Sequence, residues 1–471
     1  MSCFIVFVHP YICNVLPASF LSSLQNVKGF NNNSFEAIHA SGEQVTSIRI
    51  NPVKWTLDTN RFLNNSVSIS PENAVPWCKH GYYLPERPSF TLDPLLHAGA
   101  YYVQEASSMF LWQMLEQLIP STTNKKVLDI AAAPGGKSTL LASYFSDGLV
   151  IANEVIKARA AVLVENCTKW GSNHVIVTNN DPAHFQSLKN YFDLIVIDAP
   201  CSGSGLFRKD STAINEWSAE NVKLCSLRQQ RIVADVLPAL KKDGILIYST
   251  CSYSPQENED ILDWMIENYQ LSSMACNLLP EWNIVENIST KHGATGYRFY
   301  PDKLKGEGFF IAAFKKDFLS ENAYLKEQEL AYPSKKELQV LQSFYPYAEH
   351  GAIFKQNNLY RLINKEWMHD LKLIAKHLYI KKAGTEIGAI KNTDVIPSHE
   401  LAVSTLPLEN FTAIETDKET ALRYLRKKEI TLSSNTGWQL IQFCELPLGW
   451  VKVLPNRINN YYPSEWRILK D

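Results

Sequence analysis

Two short segments each place a cysteine at the end of an apolar run, and these thiols are the residues best suited to do chemistry. The first segment is DAPCSGSG at residues 198–205, and the second is STCSYS at 249–254. A thiolate is a strong nucleophile that can form a covalent intermediate with its substrate. A free cysteine is more often a small buried hydrophobic residue, but that role does not suit a thiol beside serine and glycine. The spacing alone does not say whether Cys201 or Cys251 attacks.

Between residues 125 and 316, short β-rich apolar runs alternate with helical patterns, which is typical of βαβ units in a parallel sheet. The predicted strands are KKVLDIA (125–131), LVIANE (149–154), HVIVTNND (174–181), FDLIVIDAP (192–200), ILIYSTC (245–251) and FFIAAFKK (309–316). The predicted helices are 137–145, 157–171, 218–240 and 258–269. We expect the third helix to end at KKDG, with Gly244 in a left-handed C-cap conformation.

Polar or small residues follow five consecutive predicted strands. They are AAAPGGK (131–137), Glu154, Asp181, Asp198 with Pro200 and Cys201, and Thr250 with Cys251. In an open parallel sheet, ligands bind beyond the carboxyl ends of the strands, where the strand order reverses. We therefore predict that these residues converge on one crevice.

The first three strand ends are typical of a nucleotide-like cofactor site. The loop predicted to contact the cofactor consists of Ala131, Ala132, Ala133, Pro134, Gly135, Gly136 and Lys137. Its small residues let the backbone approach a ligand closely. Glu154 follows Gly135 by 19 residues, close to the spacing at which an acidic residue binds ribose hydroxyls. Asp181 could accept a hydrogen bond from an adenine amino group, or it could simply cap a helix.

A phosphate-binding loop is the rival interpretation of the same residues. AAAPGGKS (131–138) differs from G-x-x-x-x-G-K-[ST] only at Ala131, and LIVIDAP resembles a strand that ends in a magnesium-binding aspartate. However, Pro134 removes a backbone donor from the loop. This alternative predicts an ATP-binding, magnesium-dependent NTPase, and it leaves Glu154 and both cysteines without a role.

Four ordered motifs carry a resemblance to a known family. They are VLDIAAAPGGKSTLLA, NEVIKARAAVLVENCTKWG, FDLIVIDAPCSGSGLFRKD and LIYSTCSYSPQENE. Together they resemble the NOL/NOP/Sun family of S-adenosylmethionine-dependent RNA 5-methylcytosine methyltransferases. SIRIN, PWC, YYVQEASSM, GEGFF and the tail LPLGWVKVLPNRINNYYPSEWR look like the bacterial F-type branch that acts on small-subunit ribosomal RNA. The similarity covers nearly the whole chain and is weakest from about 317 to 400.

The resemblance implies a fold and a division into domains. We expect a Rossmann-like class I methyltransferase domain with a doubly wound α/β sheet, an N-terminal α+β RNA-binding extension, and small C-terminal α+β and PUA-like β domains. The expected boundaries are 1–105 for the extension, 106–316 for the methyltransferase domain, 317–395 for a linker and small α+β module, and 396–471 for the PUA-like domain. The apolar segment CFIVFVHPYI (3–12) is predicted to be a buried strand or staple.

The resemblance also implies roles for the site residues. In RNA enzymes of this family the cysteine of the T-C motif attacks the base and the cysteine of the P-C motif assists product release, so Cys251 is the expected nucleophile and Cys201 the assistant. In related DNA enzymes the P-C cysteine attacks instead. Asp198 is expected to bind the polar edge of cytosine and also to belong to the cofactor-binding residues. Lys137 either orients the base or Asp198, or is a solvated lysine in the first helical turn. S-adenosylmethionine is the implied cofactor, and no metal is expected.

A target base must be unstacked to reach such a crevice, so we expect RNA that is single-stranded or locally opened. The candidate phosphate-binding residues are Arg208, Lys209, Arg49 and Asn51, and for each of them a surface salt bridge is an equal alternative. In the tail, candidates for stacking and phosphate contact are Lys452, Arg457, Tyr461 and Tyr462. The aromatic residues equally suit the core of a small β-barrel, and the core is the preferred place for Trp450 and Trp466.

Composition narrows the class of protein. A chain of 471 residues with 45% hydrophobic content is expected to fold into several domains, and no apolar run approaches the roughly 20 residues that span a bilayer. Nine scattered cysteines without a C-x-x-C pair argue against a disulfide framework or a zinc site and favour a reducing cytoplasm. We expect a cytoplasmic monomer with no membrane partner. A transfer-RNA methyltransferase and a non-catalytic ribosome assembly factor remain alternatives.

Overall fold

The computed structural model describes residues 16–55, 69–321, 325–432 and 434–470. The segment 3–12, predicted as a strand or staple, lies outside the described residues. The N-terminal region forms helices α1 (Ala18–Leu24), α2 (Asn32–Ala40) and α3 (Pro94–His97) and strands β1 (Thr46–Ile50), β2 (Gly81–Leu84) and β3 (Tyr101–Val103). The three strands make an antiparallel sheet in the order β2-β1-β3, so β1 is the central strand.

The central region carries the large sheet. Its strands are β4 (Lys126–Asp129), β5 (Leu149–Asn153), β6 (Val175–Thr178), β7 (Phe192–Asp198), β8 (Leu240–Thr250), β9 (Leu271–Met274), β10 (Val285–Ile288), β11 (Thr295–Phe299) and β12 (Phe309–Lys316). Its helices are α4 (Phe110–Leu118), α5 (Gly136–Tyr144), α6 (Lys157–Trp170), α7 (Ser211–Glu216), α8 (Ala219–Val236) and α9 (Glu259–Asn268).

The order of the strands places a crevice at the middle of this sheet. Strands β6-β5-β4-β7-β8 are parallel, and β12, β11 and β10 continue the sheet antiparallel. The chain runs outward from β4 to β6 and then returns to β7 on the other side of β4. The strand order therefore reverses between β4 and β7, where ligands bind in open α/β sheets. The predicted Rossmann-like, doubly wound fold is confirmed.

Alternating apolar side chains build a core on each face of the sheet. Val127 of β4 packs in one cluster with Leu140 of α5 and Leu163 of α6, whereas the next residue, Leu128, packs in the other with Val233 of α8. Strands that are buried on both faces read as nearly continuous apolar runs. This is why all six predicted strands of the region could be found from the sequence.

The end of α8 corrects one prediction. The helix stops at Val236 rather than near residue 240, because a proline ring at position 238 cannot continue an α-helix. KKDG lies inside the long strand β8, and the positive φ of 61° belongs to Asp243 rather than to Gly244.

The remaining residues form two further four-stranded sheets and one strand that joins the large sheet. The strands are β13 (Ala352–Gln356), β14 (Leu359–Ile363), β15 (Ile380–Ala383), β16 (Thr385–Lys391), β17 (Asp394–Pro397), β18 (Ala413–Glu415), β19 (Gly437–Phe443), β20 (Leu446–Leu454) and β21 (Arg457–Asn460). The helices are α10 (Lys335–Phe344), α11 (Met368–His377), α12 (His399–Ala402) and α13 (Lys418–Leu425). The sheets are ordered β13-β14-β16-β17 and β18-β19-β20-β21.

Both flanking regions pack against the central one and against each other. Strand β15 extends the large sheet antiparallel to β6, and Leu371 of α11 is buried in the same cluster as Ile195 of β7. At the other side, Ile48 of the N-terminal sheet shares a core with Tyr424 and Leu448 of the C-terminal region. The N-terminal and C-terminal regions therefore share one core, while the boundaries at 105, 316 and 395 stay predictions.

Candidate active site

The loop after β4 is held in place by helix α6. Arg159 Nη2 donates to the Ala133 carbonyl at 2.7 Å, and Asn166 Nδ2 donates to the Pro134 carbonyl at 2.8 Å. Gly135 has a φ of 119°, and a Cβ there would lie 3.3 Å from Leu163 Cδ1. A larger residue would be strained at this turn, so glycine keeps the loop close to α6 at the mouth of the crevice.

Glu154 presents a buried carboxylate oxygen without a hydrogen-bond donor. Its Oε1 accepts from the Ile156 amide at 2.9 Å, whereas Oε2 has no hydrogen-bond partner among the described residues, and Arg159 Nη1 lies 3.5 Å away. A buried acceptor without a donor costs free energy. A ligand hydroxyl at this position would remove that cost, which fits the ribose of a nucleoside cofactor.

Asp129 is a second such carboxylate, and the sequence analysis missed it. Its Oδ2 accepts from Ser138 Oγ at 2.6 Å, but its buried Oδ1 has no hydrogen-bond partner in the described parts of the chain. Burial raises the pKa of Asp129 to about 7, and the nearby charges of Asp198 and Glu154 add to the effect. Its place as the last residue of β4, just before the predicted cofactor loop, was the available signal. An amino group of a ligand would suit this oxygen.

Asp181 does cap a helix, as the alternative interpretation expected. Its Oδ1 accepts from the Ala183 amide at 3.0 Å at the start of the 3-10 helix Pro182–Ser187. Arg231 Nη2 also donates to both carboxylate oxygens, at 2.7 and 2.8 Å. The Ala183 amide and Arg231 lower the pKa of Asp181. The side chain is 37% exposed, so its role toward a cofactor stays a prediction.

Lys137 and Asp198 form an ion pair at the switch point. Lys137 Nζ lies 2.8 Å from Asp198 Oδ2, and Ser249 Oγ donates to Asp198 Oδ1 at 2.8 Å. The Lys137 side chain is only 11% exposed, with Nζ 5.1 Å from the centre of the Phe309 ring, so it is not a solvated lysine. Asp198 is 39% exposed and keeps access to a ligand in the crevice.

The two predicted cysteines meet directly. Cys201 Sγ and Cys251 Sγ are 2.9 Å apart, both are free thiols, and both are partly exposed. The hydrogen bond with Cys251 and burial raise the pKa of Cys201 well above its ordinary value. A thiol with a raised pKa stays protonated at neutral pH, and the geometry allows either sulfur to donate to the other.

Gly205 allows the loops around the two thiols to pack closely. A Cβ on Gly205 would lie 2.4 Å from the Gly308 carbonyl oxygen and 2.7 Å from that of Cys251. The Gly205 amide donates to the Cys251 carbonyl at 2.7 Å. Any side chain at Gly205 would push the two cysteine loops apart.

Arg49 and Asn51 do not lie where phosphates could reach them, so that prediction is wrong. Arg49 is fully buried on the central strand β1, where it donates to Gln104 Oε1 at 2.8 Å and to Thr139 Oγ1 at 2.6 Å. Asn51 is also buried and donates to the carbonyls of Gly99 and Trp170. Both side chains join the N-terminal sheet to α5 and α6.

The Arg208 side chain likewise contacts other residues inside the protein. It is buried beside Glu307, with Nη1 3.4 Å from Glu307 Oε2, and it donates to the Glu43 carbonyl. The prediction that it binds phosphate at the mouth is therefore wrong. Lys209 is exposed, and its contact with RNA stays a prediction.

The C-terminal region separates its aromatic residues into core and surface. Trp450 is buried as expected, and Tyr462 is buried too, which agrees with the core alternative for Tyr462 and not with stacking. Tyr461 is 37% exposed, and its ring centre lies 4.5 Å from that of Trp438. Trp438 was not among the residues predicted from the sequence. Lys452 Nζ lies 5.2 Å from the centre of the Trp438 ring.

Trp466 is only partly buried, with its ring against His399. Arg457 is exposed at the start of β21. The partly exposed aromatic residues Trp438 and Tyr461, with Lys452 beside them, are therefore the surface most suited to stack on a base.

The described residues contain neither a metal-binding cluster nor a membrane-spanning helix. Within those ranges, no group of three or more histidine, cysteine, aspartate or glutamate residues is arranged to hold a metal ion. No helix in the same part of the chain has the length and apolar character needed to cross a membrane.

Three family descriptions match consecutive parts of the chain. Residues 16–106 match the N-terminal domain of 16S rRNA methyltransferase RsmF, residues 116–315 match 16S rRNA methyltransferase RsmB/F, and residues 411–468 match the methyltransferase RsmF PUA domain. The three matches therefore fall in turn on the N-terminal, central and C-terminal regions described above.

Curated relatives and solved structures are similar over most of the chain. The ribosomal RNA small subunit methyltransferase F of Psychromonas ingrahamii is 31% identical over 83% of this chain and 85% of its own length. The protein of that name from Aliivibrio fischeri strain MJ11 is 28% identical over 96% and 97%. A methyltransferase homolog from Pyrococcus horikoshii is 29% identical with a TM-score of 0.51, over 64% of this chain and 100% of its own. NSun6 from Pyrococcus horikoshii with SFG, at 18% identity and a TM-score of 0.53 over 64% and 98%, shares the fold.

Proposed function

The chain belongs to the RsmB/F family of 16S rRNA methyltransferases, and we propose that it methylates carbon 5 of a cytosine in small-subunit ribosomal RNA through a covalent cysteine adduct, with S-adenosylmethionine as methyl donor. The observation that carries the mechanism is the pair of thiols 2.9 Å apart beside the Asp198 and Lys137 ion pair. The NTPase alternative is set aside because the family is one of methyltransferases.

The covalent step is needed to activate carbon 5 of the cytosine. Carbon 5 of cytosine is a weak nucleophile, and adding the Cys251 thiolate to carbon 6 moves electron density onto carbon 5. When bound, S-adenosylmethionine supplies an electrophilic methyl group for that carbon. Once carbon 5 carries the methyl group, its proton passes to solvent water, the electron pair of that C–H bond re-forms the double bond between carbons 5 and 6, and the bond from carbon 6 to sulfur breaks so that the Cys251 thiolate leaves.

Asp198 and Lys137 would hold the base during this addition. Asp198 would bind the amino and ring-nitrogen edge of cytosine, which its partly exposed carboxylate at the switch point supports. Lys137 and Ser249 each contact one of its oxygens. These contacts fix the carboxylate so that little reorganisation is needed as charge develops on the base.

The cofactor would lie along the ends of β4, β5 and β6. Residues 131–136 would approach it with their backbone, Glu154 would accept from the ribose hydroxyls, and Asp181 would lie near the adenine. Asp129, which we add to this group, would accept from the amino group through its free oxygen.

Replacing Glu154 by alanine should weaken binding of S-adenosylmethionine by about 10- to 100-fold, since charge-assisted hydrogen bonds contribute about 1.5–3 kcal/mol. Isothermal titration calorimetry with the RNA-free protein measures this directly. Glu165→Ala on α6 is the matched control, because Glu165 forms an ion pair with Lys169 one turn along that helix. Equal affinities for the two variants would contradict the assignment of Glu154.

Replacing Trp438 by alanine should weaken RNA binding by about 5- to 100-fold, because a base stacked on an aromatic ring contributes about 1–3 kcal/mol. Fluorescence anisotropy with a labelled fragment of small-subunit ribosomal RNA measures the loss. Trp264→Ala is the control, since Trp264 is also partly buried but packs against Tyr269 on the central domain. A similar loss in both variants would contradict a stacking role for Trp438.

The function itself is tested by methylating purified RNA. Wild-type protein and S-adenosylmethionine are incubated with 16S ribosomal RNA, with the small ribosomal subunit, and with transfer RNA, and 5-methylcytosine is located by bisulfite sequencing. We expect modification of the ribosomal RNA or subunit only. Modification of transfer RNA alone would support the alternative substrate, and modification of none would contradict the proposed activity.

A further inference from the structure

One buried carboxylate joins the two cysteine loops. Glu257 is fully buried, and its Oε1 accepts from the Ser202 amide at 2.8 Å. Its Oε2 accepts from Ser202 Oγ at 2.5 Å and from Ser252 Oγ at 2.6 Å. Ser202 directly follows Cys201, and Ser252 directly follows Cys251. The same side chain therefore holds the neighbour of each thiol.

Glu257 is itself anchored to the elements around the site. Gln229 Nε2 of α8 donates to Glu257 Oε1 at 3.1 Å and to the carbonyl of Pro200, the residue before Cys201, at 3.0 Å. The Tyr248 hydroxyl donates to the Glu257 backbone carbonyl at 2.7 Å. The position of the carboxylate is thus fixed by both the helix and the strand that flank the crevice.

The contacts of Glu257 differ from those of an ordinary structural carboxylate nearby. Glu259, two residues later, is neutralised by an ion pair with Arg298. Glu257 pairs with no cation among the described residues, and its oxygens accept from Ser202, Ser252 and Gln229 only. Charge-assisted hydrogen bonds of this kind are short and strongly directional, so they fix distance as well as contribute stability.

We propose that Glu257 is a positioning residue that sets the separation of the Cys201 and Cys251 thiols, so that Cys201 can assist release of the product from Cys251. This inference rests on the proposed function. Displacing a catalytic group by about 1 Å can slow a step by about 100-fold. Glu257 would therefore keep the two sulfur atoms at their separation of 2.9 Å.

The test is a double-mutant cycle on resolution of the covalent protein–RNA adduct. Glu257→Gln keeps the shape of the side chain but turns an amide donor toward groups that also donate. We expect the adduct to accumulate and to resolve about tenfold or more slowly than in the wild type. In a Cys201→Ala background the same change should slow resolution less than about twofold, because the thiol on which Glu257 acts is already gone.

Glu259→Gln is the matched control, since it removes a buried charge from the same segment and should lower the melting temperature without trapping adduct. Ser202→Ala, which leaves the carboxylate in place, gives a second variant if Glu257→Gln does not fold, and its adduct should also resolve slowly. Equal slowing by Glu257→Gln with and without Cys201, or no slowing at all, would overturn the positioning role. A wild-type protein that forms neither adduct nor 5-methylcytosine would instead refute the proposed function, and the positioning role with it.

Discussion

Replacing Cys251 by alanine should reduce methyl transfer to RNA by at least about a thousandfold, while S-adenosylmethionine binds with almost unchanged affinity. The change removes the only atom that would form the bond to carbon 6, and loss of a covalent nucleophile costs orders of magnitude in rate. In the proposed mechanism Cys201 assists release rather than attack, so we do not expect it to take over the addition to carbon 6. The predicted cofactor contacts at 131–136 and Glu154 are untouched.

Transfer of an isotopically labelled methyl group measures the rate, and calorimetry measures cofactor binding. Cys276→Ala is the matched control, since Cys276 is buried in the same hydrophobic cluster as Tyr297 and is not one of the predicted site residues, and the variant should stay active. Full activity of Cys251→Ala would refute the nucleophile. If Cys201→Ala alone abolished the adduct, the roles of the two thiols would be reversed, as in the related DNA enzymes.

The central fold and the strand-end residues could be predicted because their signals are local. Each parallel strand is a short apolar run, and a strand end is visible wherever that run stops at a polar or small residue. Glu154 and Asp198 were found in this way, and so were both cysteines. Parallel strands all present their carboxyl ends at one edge, so the topology brings these separated residues to one crevice.

The environment of Arg49 could not be predicted for the opposite reason. Its partners Gln104 and Thr139 lie 55 and 90 residues further along the chain. A basic residue in the sequence is therefore equally compatible with a surface contact and with a buried hydrogen-bond network. The same holds for Arg208, whose partner Glu307 lies 99 residues away.

The shared core of the two ends of the chain was also invisible in the sequence. Ile48 and Tyr424 are buried together, yet neither apolar residue specifies which other surface it will cover. Glu257 shows a related limit: the segment PQENE contains two glutamates, and only the folded structure distinguishes the one that holds the cysteine loops from the one that pairs with Arg298.

Replacing Cys201 by alanine should trap the protein on its RNA. Cys251 keeps its sulfur and can still add to carbon 6, so the covalent adduct forms. Its breakdown requires loss of a proton from carbon 5 and departure of the Cys251 thiolate, and Cys201 Sγ is 2.9 Å from that leaving sulfur. A positioned group that moves a proton contributes about 10²–10⁴-fold, so we expect turnover to fall by at least about 100-fold.

Denaturing gel electrophoresis with labelled RNA separates this outcome from a simple loss of activity. The Cys201→Ala variant should give a band at the combined mass of protein and RNA, the wild type only a faint one, and a Cys201→Ala/Cys251→Ala double variant none. A trapped band that persists without Cys251 would mean that another residue attacks the base. Rapid turnover without any trapped band would mean that release does not need Cys201. Because attack and release act on the same sulfur, only a variant that stops between the two steps can assign one thiol to each.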